Sequence, residues 1–315
     1  MSAITKDRYA RRLSYGKKWK LCLKRHWPLY LLILIPFAWV VVFSYVPMYG
    51  IVMAFQDFSM RLGYFKSPFV GFKHFARFFS SGLIWTLVGN TVILSLYGMI
   101  VGFFTPIILA LMINEIRQRL FKKAFQMIAY LPYFISTVIA FAILNAFFSG
   151  NGTFNQIRSL FGLNSITLMG IKSTFRHMYV WSGIWTGVGF SSVLYTATLA
   201  KVDLELYEAA VLDGANRLQK IWHIDIPSIM PTITILLIMS MGGILGVGFE
   251  KTYLMQTGLN LGVSEVISTY VYKVSLQMNN FSFGQAVSIF NSVVALFFII
   301  SANTIARRVS ENSLW

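Results

Sequence analysis

Long apolar runs alternate along this chain with shorter polar segments. Six of the runs, 28–46, 88–113, 124–148, 178–200, 229–247 and 284–306, have the length of a membrane crossing. A helix rising 1.5 Å per residue needs about 20 residues to span ~30 Å of hydrocarbon. The second and third runs exceed that length and predict tilt or extension beyond the bilayer. The expected fold is therefore all-α and integral to a membrane, with six transmembrane helices. The polar pattern divides the chain into a basic arm (1–27), a membrane domain (28–306) and a short tail (307–315). The first run is too long for the apolar core of a secretory signal, and no small-residue cleavage site ends it. It is expected to be retained as a span.

Composition agrees with this pattern. Apolar residues make up 56% of the chain and charged residues 12%, where a water-soluble domain averages roughly 25% charged. Lipid can face long uncharged stretches that water cannot. The net charge of +16 would suit nucleic acid, but nine of the 27 Lys and Arg lie in the first 26 residues, directly before an apolar run. That is the layout of a cytoplasmic anchor beside anionic lipid, and no nucleic-acid partner is expected.

With the N-terminus inside, the segments on the cytoplasmic side carry 18 Lys and Arg and the outer segments nine. The positive-inside rule thus predicts both termini in the cytoplasm. The runs hold almost no ionisable groups; Glu250 sits at the outer edge of the fifth. Ion-coupled carriers place acids or histidines at membrane depth to bind the coupling ion, and their scarcity here argues against the alternative reading, an ion-coupled secondary carrier for a small solute. A membrane-bound enzyme would need clustered catalytic residues. The four histidines, His26, His74, His177 and His223, are scattered, and the single cysteine, Cys22, cannot form an intrachain disulfide. A phosphate loop of the form G-x-x-x-x-G-K followed by Ser or Thr does not occur, so the chain is not expected to bind ATP or a metal itself.

Residues 201–228, between the fourth and fifth runs, follow a different pattern. Asp203 is placed to cap a short helix on which Leu204, Tyr207 and Val211 share a face. Gly214 suits a positive-φ turn at its end. Asn216 and Gln219 have the spacing of a capping box for a second helix, with Leu218, Ile221 and Trp222 on one side. Pro227 is expected to break that helix before the next span. Helices this short are unstable alone in water, so they must pack on lipid, on the protein's own helices or into a partner.

This segment resembles the EAA signature of ATP-binding-cassette importer permeases. Glu208-Ala209-Ala210, Asp213-Gly214-Ala215 and Ile224-Asp225-Ile226-Pro227 stand at the signature's spacings, with Ile226 where leucine is usual. The resemblance implies a coupling helix seated in a cleft of an ATPase subunit. Glu208 would anchor it, Ala209 and Ala210 would allow close approach, and Gly214 would permit the turn. Further stretches are similar to the carbohydrate-uptake permeases, especially the branch for complex polysaccharide fragments. They are 45–51, 55–58, 70–75, Asn90-Thr91 and 266–272. The resemblance implies a bacterial inner-membrane protein paired with a second homologous permease and served by two ATPase subunits that hold ATP and magnesium. An extracytoplasmic solute-binding protein would deliver the oligosaccharide.

Sugars are bound by planar polar groups and aromatic faces. Asn145, Trp181, Trp185, Tyr195 and Asn291 are candidates in the spans, and Gly242, Gly243, Gly246 and Gly248 would open backbone toward a substrate. Membrane-interface aromatics, helix-joining polar residues and close helix packing account for the same residues. The outer segments hold nine Lys and Arg but three acids, Asp57, Glu250 and Glu265. That excess would attract an acidic binding protein, an acidic uronate-type oligosaccharide such as an alginate or pectin fragment, or lipid head groups.

Overall fold

The computed structural model describes residues 15–241 and 246–309. The chain divides into two units, Met1–Met53 and Ala54–Trp315. In the first, helix α1 (Tyr15–Val40) runs into a π-helical turn, Val41–Tyr45. His26 leaves helical φ/ψ two residues before Pro28, so the kink sits where the proline ring disrupts the preceding turn. The apolar side chains from Trp27 to Val40 are exposed all round the helix. A helix without a polar face is stable only where lipid or another protein covers it.

The second unit is built around α3 (Leu83–Asn114). It also contains α2 (Lys73–Ser80), α4 (Arg119–Tyr130), α5 (Thr137–Phe148), α6 (Thr153–Leu160), α7 (Lys172–Ser191) and α8 (Val193–Leu199). Then come α9 (Leu204–Leu212), α10 (Arg217–Lys220), α11 (Ile226–Met241), α12 (Phe249–Met255), α13 (Ile267–Tyr272) and α14 (Phe281–Val309). Among the described residues extended pairing is limited to one isolated bridge, Gln56 to Phe69.

Helix α3 takes part in three separate apolar clusters along its length. Ile84 and Leu87 pack with Phe78, Ile267, Phe283 and Val287. Leu94 packs with Phe175, Met255 and Val266. Ile107 and Ala110 pack with Tyr195, Leu199 and Ile229. The central helix of the unit is thus buried at intervals rather than along one stripe, as expected where lipid rather than water covers the remainder.

Five helical stretches among the described residues are long and apolar enough to cross a membrane: Lys24–Phe55, Leu83–Asn114, Thr137–Leu160, Arg217–Ser240 and Phe281–Ser301. The third expected run, 124–148, is not one helix. Pro132 lies in a 3-10 turn after α4, Ser136 is extended, and its hydroxyl accepts from the Ile139 amide at 3.3 Å, starting α5 afresh. The fourth run, 178–200, lies on α7 and α8. They part at buried Ser192, whose hydroxyl donates to the Gly189 carbonyl at 2.6 Å.

Pro227 does not break the chain as expected. Helix α10 passes through a π turn, Ile221–Asp225, straight into α11. The Ile226 amide donates to the Ile221 carbonyl, five residues back, and this wider turn admits the proline ring. Gly189 shows the opposite demand, for space. A Cβ there would lie 2.0 Å from the Ala129 carbonyl oxygen, so glycine alone lets α7 cross α4.

Four of the five stretches singled out beside the 201–228 segment meet in two pairs, 55–58 with 70–75 and 90–91 with 266–272. Val70 donates its amide to Phe55 at 2.8 Å. The Asp57 carboxylate pairs with Lys73 at 2.8 Å and His74 at 3.0 Å. The Asn90 side chain donates to the Gly262 and Glu265 carbonyls at 3.1 and 3.0 Å, and Thr91 accepts from the Ile267 amide at 3.1 Å. Phe58 donates its amide to Ser282 at 2.8 Å, joining the first of these loops to α14.

Candidate functional site

The 201–228 segment is fixed by local caps. Asp203 accepts from the Glu205 amide at 3.2 Å to open α9. At its end Gly214 takes φ +75° and donates to the Val211 carbonyl, while Ala215 donates to Ala210 at 2.8 Å. That pair of bonds is a Schellman cap, which explains the Asp213-Gly214-Ala215 order. Asn216 and Gln219 then form a reciprocal capping box, with bonds of 2.7 and 2.9 Å. Glu208, Ala209, Asp213, Gly214 and Pro227 are exposed, and Ala210, Ala215 and Ile224 are half-buried. The Glu208 carboxylate makes no ion pair within 4 Å among the described residues. Leu204, Leu212, Leu218 and Trp222 are exposed too, an uncovered apolar surface on short helices.

Beneath this surface lies a polar joint that the sequence does not announce. Asp225 is completely buried. Its carboxylate accepts a short hydrogen bond from the Tyr207 hydroxyl and another from Asn114 Nδ2 at 3.3 Å. Asn114 is the last residue of α3, so one carboxylate ties α9, α3 and the base of α11 together. Burial and the Asp225 bond push the Tyr207 phenol up to about 12, keeping it a donor at any physiological pH. The sequence reading notes Asp225 only as part of the 224–227 match; the π turn carries it into the packed interior. Its only sequence signal is an acid within an otherwise apolar run, 224–227.

Three cavities are lined in part by α7. One of about 690 Å³ lies between α3, α7, α8 and α11, where Gly98 and Gly102 face Phe190, Tyr195 and Leu236. Buried Tyr195 thus reaches a cavity, and Gly246 lines it as well. Trp181 and Trp185 line a second space of about 440 Å³ with Phe147, Phe148 and His177. A third, about 500 Å³, is lined by Tyr97, Lys172, Ser173, Arg176, His177 and Val263. The second and third share His177, and the Trp181 indole donates to the Tyr97 hydroxyl at 3.1 Å. Lys251 Nζ donates to the Tyr179 carbonyl at 2.5 Å, 4.6 Å from that ring's centre.

Of the sugar-binding candidates, the structure brings Trp181 and Trp185 together and sets Tyr195 in a different cavity. Asn145 is exposed on α5, and Asn291 is half-buried on α14 with its side-chain oxygen buried and unpartnered. Neither lines these three cavities. Gly242 and Gly243 lie outside the described residues. Tyr97, Lys172 and Arg176 are missed by the sequence reading. Their signal is a tyrosine midway along an apolar run and two cations four residues apart at the start of another.

Comparison with known proteins completes the picture. Residues 102–311 match the family described as the binding-protein-dependent transport system inner membrane component. Protein LplB of Bacillus subtilis is 39% identical over 319 residues, covering 100% of both chains. The polygalacturonan/rhamnogalacturonan transport system permease protein YteP of the same organism is 39% identical over 291 residues, covering 91% of this chain and 90% of that one. A crystal structure of a bacterial alginate ABC transporter, in complex with its alginate pentasaccharide-bound periplasmic protein, contains a chain that superposes with a TM-score of 0.84. It is 38% identical and covers 94% of this chain and 99% of its own. The all-helical membrane fold, the family match over two thirds of the chain and full-length similarity to such permeases lead to one conclusion: this chain belongs to the family of binding-protein-dependent inner-membrane transport components, the permeases of sugar ABC importers.

Proposed function

We propose that this chain is one of two permease subunits in an ATP-driven importer that carries acidic oligosaccharides, such as alginate or pectin fragments, into the bacterial cytoplasm by alternating access. The observation that carries this reading is the 39% identity to a permease for polygalacturonan and rhamnogalacturonan. That cargo and alginate both bear uronate carboxylates, and a net charge of +6 over the expected outer segments complements them.

On this reading the membrane domain, 28–306, has six spans, the fourth formed by α7 with α8. The basic arm, 1–27, and the tail, 307–315, lie in the cytoplasm. The 201–228 segment docks on an ATPase subunit, with Glu208, Ala209, Ala210, Asp213, Gly214, Ala215, Ile224 and Pro227 forming or supporting the seat. The exposed Leu204, Leu212, Leu218 and Trp222 support this, since a partner would cover them. Two ATPase subunits hold ATP and magnesium, and their closure rocks this chain against the second permease. A solute-binding protein delivers cargo from outside, as the periplasmic protein accompanies the alginate transporter.

Uptake by the complete complex in proteoliposomes tests the cargo. Oligogalacturonates are expected to be preferred over neutral glucans of equal length. Equal or better handling of the glucans overturns the acidic assignment.

A further inference from the structure

Helix α7 begins with a cluster of cations that the fold leaves without counter-charge. Lys172 and Arg176 are one turn apart and line the same cavity of about 500 Å³. Among the described residues no acid lies within 4 Å of either: Asp57 takes Lys73 and His74, Glu265 takes Lys273, and Glu115 takes Arg217. Arg176 is half-buried and points one nitrogen, Nη2, at the Asn90 amide oxygen at 3.1 Å, while its Nε is buried with no partner. Asn90 is itself held by the Gly262 and Glu265 carbonyls. A half-buried guanidinium with a neutral partner is an unfavourable arrangement unless an anion completes it. Its orientation by a buried, twice-anchored amide preorganises it for one.

The adjoining wall is aromatic. Tyr97 links Trp181, whose indole donates to its oxygen at 3.1 Å, to His177 Nδ1 at 2.8 Å. Trp185 continues this wall beside Trp181 and His177 in the neighbouring space. From Lys172 to Trp185 the helix advances about 20 Å through roughly three and a half turns, so the cations and the indoles line separate spaces that meet at His177. A cationic end followed by indole and phenol faces matches the two halves of a uronosyl unit. The carboxylate takes charge-assisted hydrogen bonds, and the apolar ring face lies on the aromatic side chains.

We propose that Lys172 and Arg176, with Tyr97, His177, Trp181 and Trp185, form an entry subsite on the outer half of α7 that receives a carboxylate-bearing sugar of the cargo. This assignment rests on the acidic-oligosaccharide reading above and locates the recognition of its charge.

The test uses the complete complex with its binding protein in proteoliposomes, supplied with a mixture of tetragalacturonate and its methyl ester. The wild-type complex first establishes whether the acid is carried. Failure of the wild type to carry it overturns the cargo reading and removes this subsite's ligand with it. Given wild-type uptake, Lys172→Gln and Arg176→Gln should each lower the acid-to-ester uptake ratio by about tenfold, the scale of one charge-assisted contact. Exposed Lys172 keeps the test open even where Arg176→Gln fails to assemble, and Lys172→Arg should restore the ratio. An unchanged ratio overturns the assignment. So does an equal fall for acid and ester, which marks a structural role or docking of the binding protein on these cations. Where the wild type carries only the acid, Lys172→Arg decides: uptake near wild type supports the subsite, and uptake as low as in Lys172→Gln overturns it.

Discussion

Tyr207, on the first of the two short helices, donates its hydroxyl hydrogen to the carboxylate of Asp225, at the base of the helix that follows the second. Eighteen residues apart in sequence, the two make one buried bond that, with Asn114, joins an exposed surface element to two long helices. On the proposed function, any push on α9 by an ATPase reaches the membrane helices through this joint.

Removing the donor should therefore loosen the segment. Tyr207→Phe leaves the buried carboxylate with Asn114 alone, and losing a hydrogen bond to a charged group costs about 1.5–3 kcal/mol. The expected outcome is a lower thermal midpoint for the purified complex and weaker cargo-stimulated ATP hydrolysis. Asp225→Asn, which removes the charge but keeps an acceptor, should lose less stability. Equal midpoints for wild type and Tyr207→Phe would show that the joint carries no load.

The Schellman turn at Gly214 gives a second prediction. Its φ of +75° excludes β-branched residues, and Gly214→Val should cost about 1–3 kcal/mol of local strain. Lengthening Ala210 should separate any docked surface. Both variants should insert and retain the paired permease while losing ATPase subunits on purification. Full retention with normal stimulated turnover would mean that 201–228 is only a surface element.

Orientation is open to chemical labelling. The excess of Lys and Arg on one side, 18 against nine, predicts that cysteines placed at Ser81 and Asn151, in a Cys22→Ser background, react with impermeant reagents from outside. One at Ser310 should not. Reaction at Ser310 from outside would invert the topology.

The ion pairs of Asp57 predict a pH dependence with a definite sign. The Lys73 ammonium, through its hydrogen bond first, holds the Asp57 carboxyl below the usual carboxylate range, and His74 adds to this. A group with a depressed folded pKa contributes its stability fully above the unfolded value, about 3.9, and loses it as pH falls through the lower folded value. Asp57→Asn should lower the thermal midpoint at pH 6–7, with the gap from wild type closing as pH falls below the usual carboxylate range. A gap that persists in acid would assign the effect to something other than charge.

Close packing supplies the last prediction. A methyl group at position 189 would meet the Ala129 carbonyl at 2.0 Å. Gly189→Ala should force α7 from α4 and destabilise by about 1–3 kcal/mol, the usual range for overpacking. Gly187, where a Cβ meets nothing within 4 Å, should accept alanine without loss. Similar midpoints for both variants would contradict the crossing.

By itself the sequence determined the features that depend on neighbours close along the chain. Apolar runs, the asymmetry of Lys and Arg, the Asp203 cap, the Gly214 turn and the Asn216–Gln219 box all rest on periodicity or on bonds across five residues or fewer. Tertiary structure alone decided the rest. Helix α4 separated from α5 and α7 from α8 because hydroxyl caps and a proline redirect a backbone whose apolarity never changes. A π turn let α10 continue past Pro227 and set Asp225 in a buried joint. Trp181 met Tyr97 across 84 residues, and Arg176 met Asn90 across 86. Hydrophobic pattern records that a residue is covered by something apolar; it carries no information about which distant polar group shares its cavity. In a membrane chain, where lipid covers what a water-soluble protein must bury, that pattern says still less about partners, and packing has to supply them.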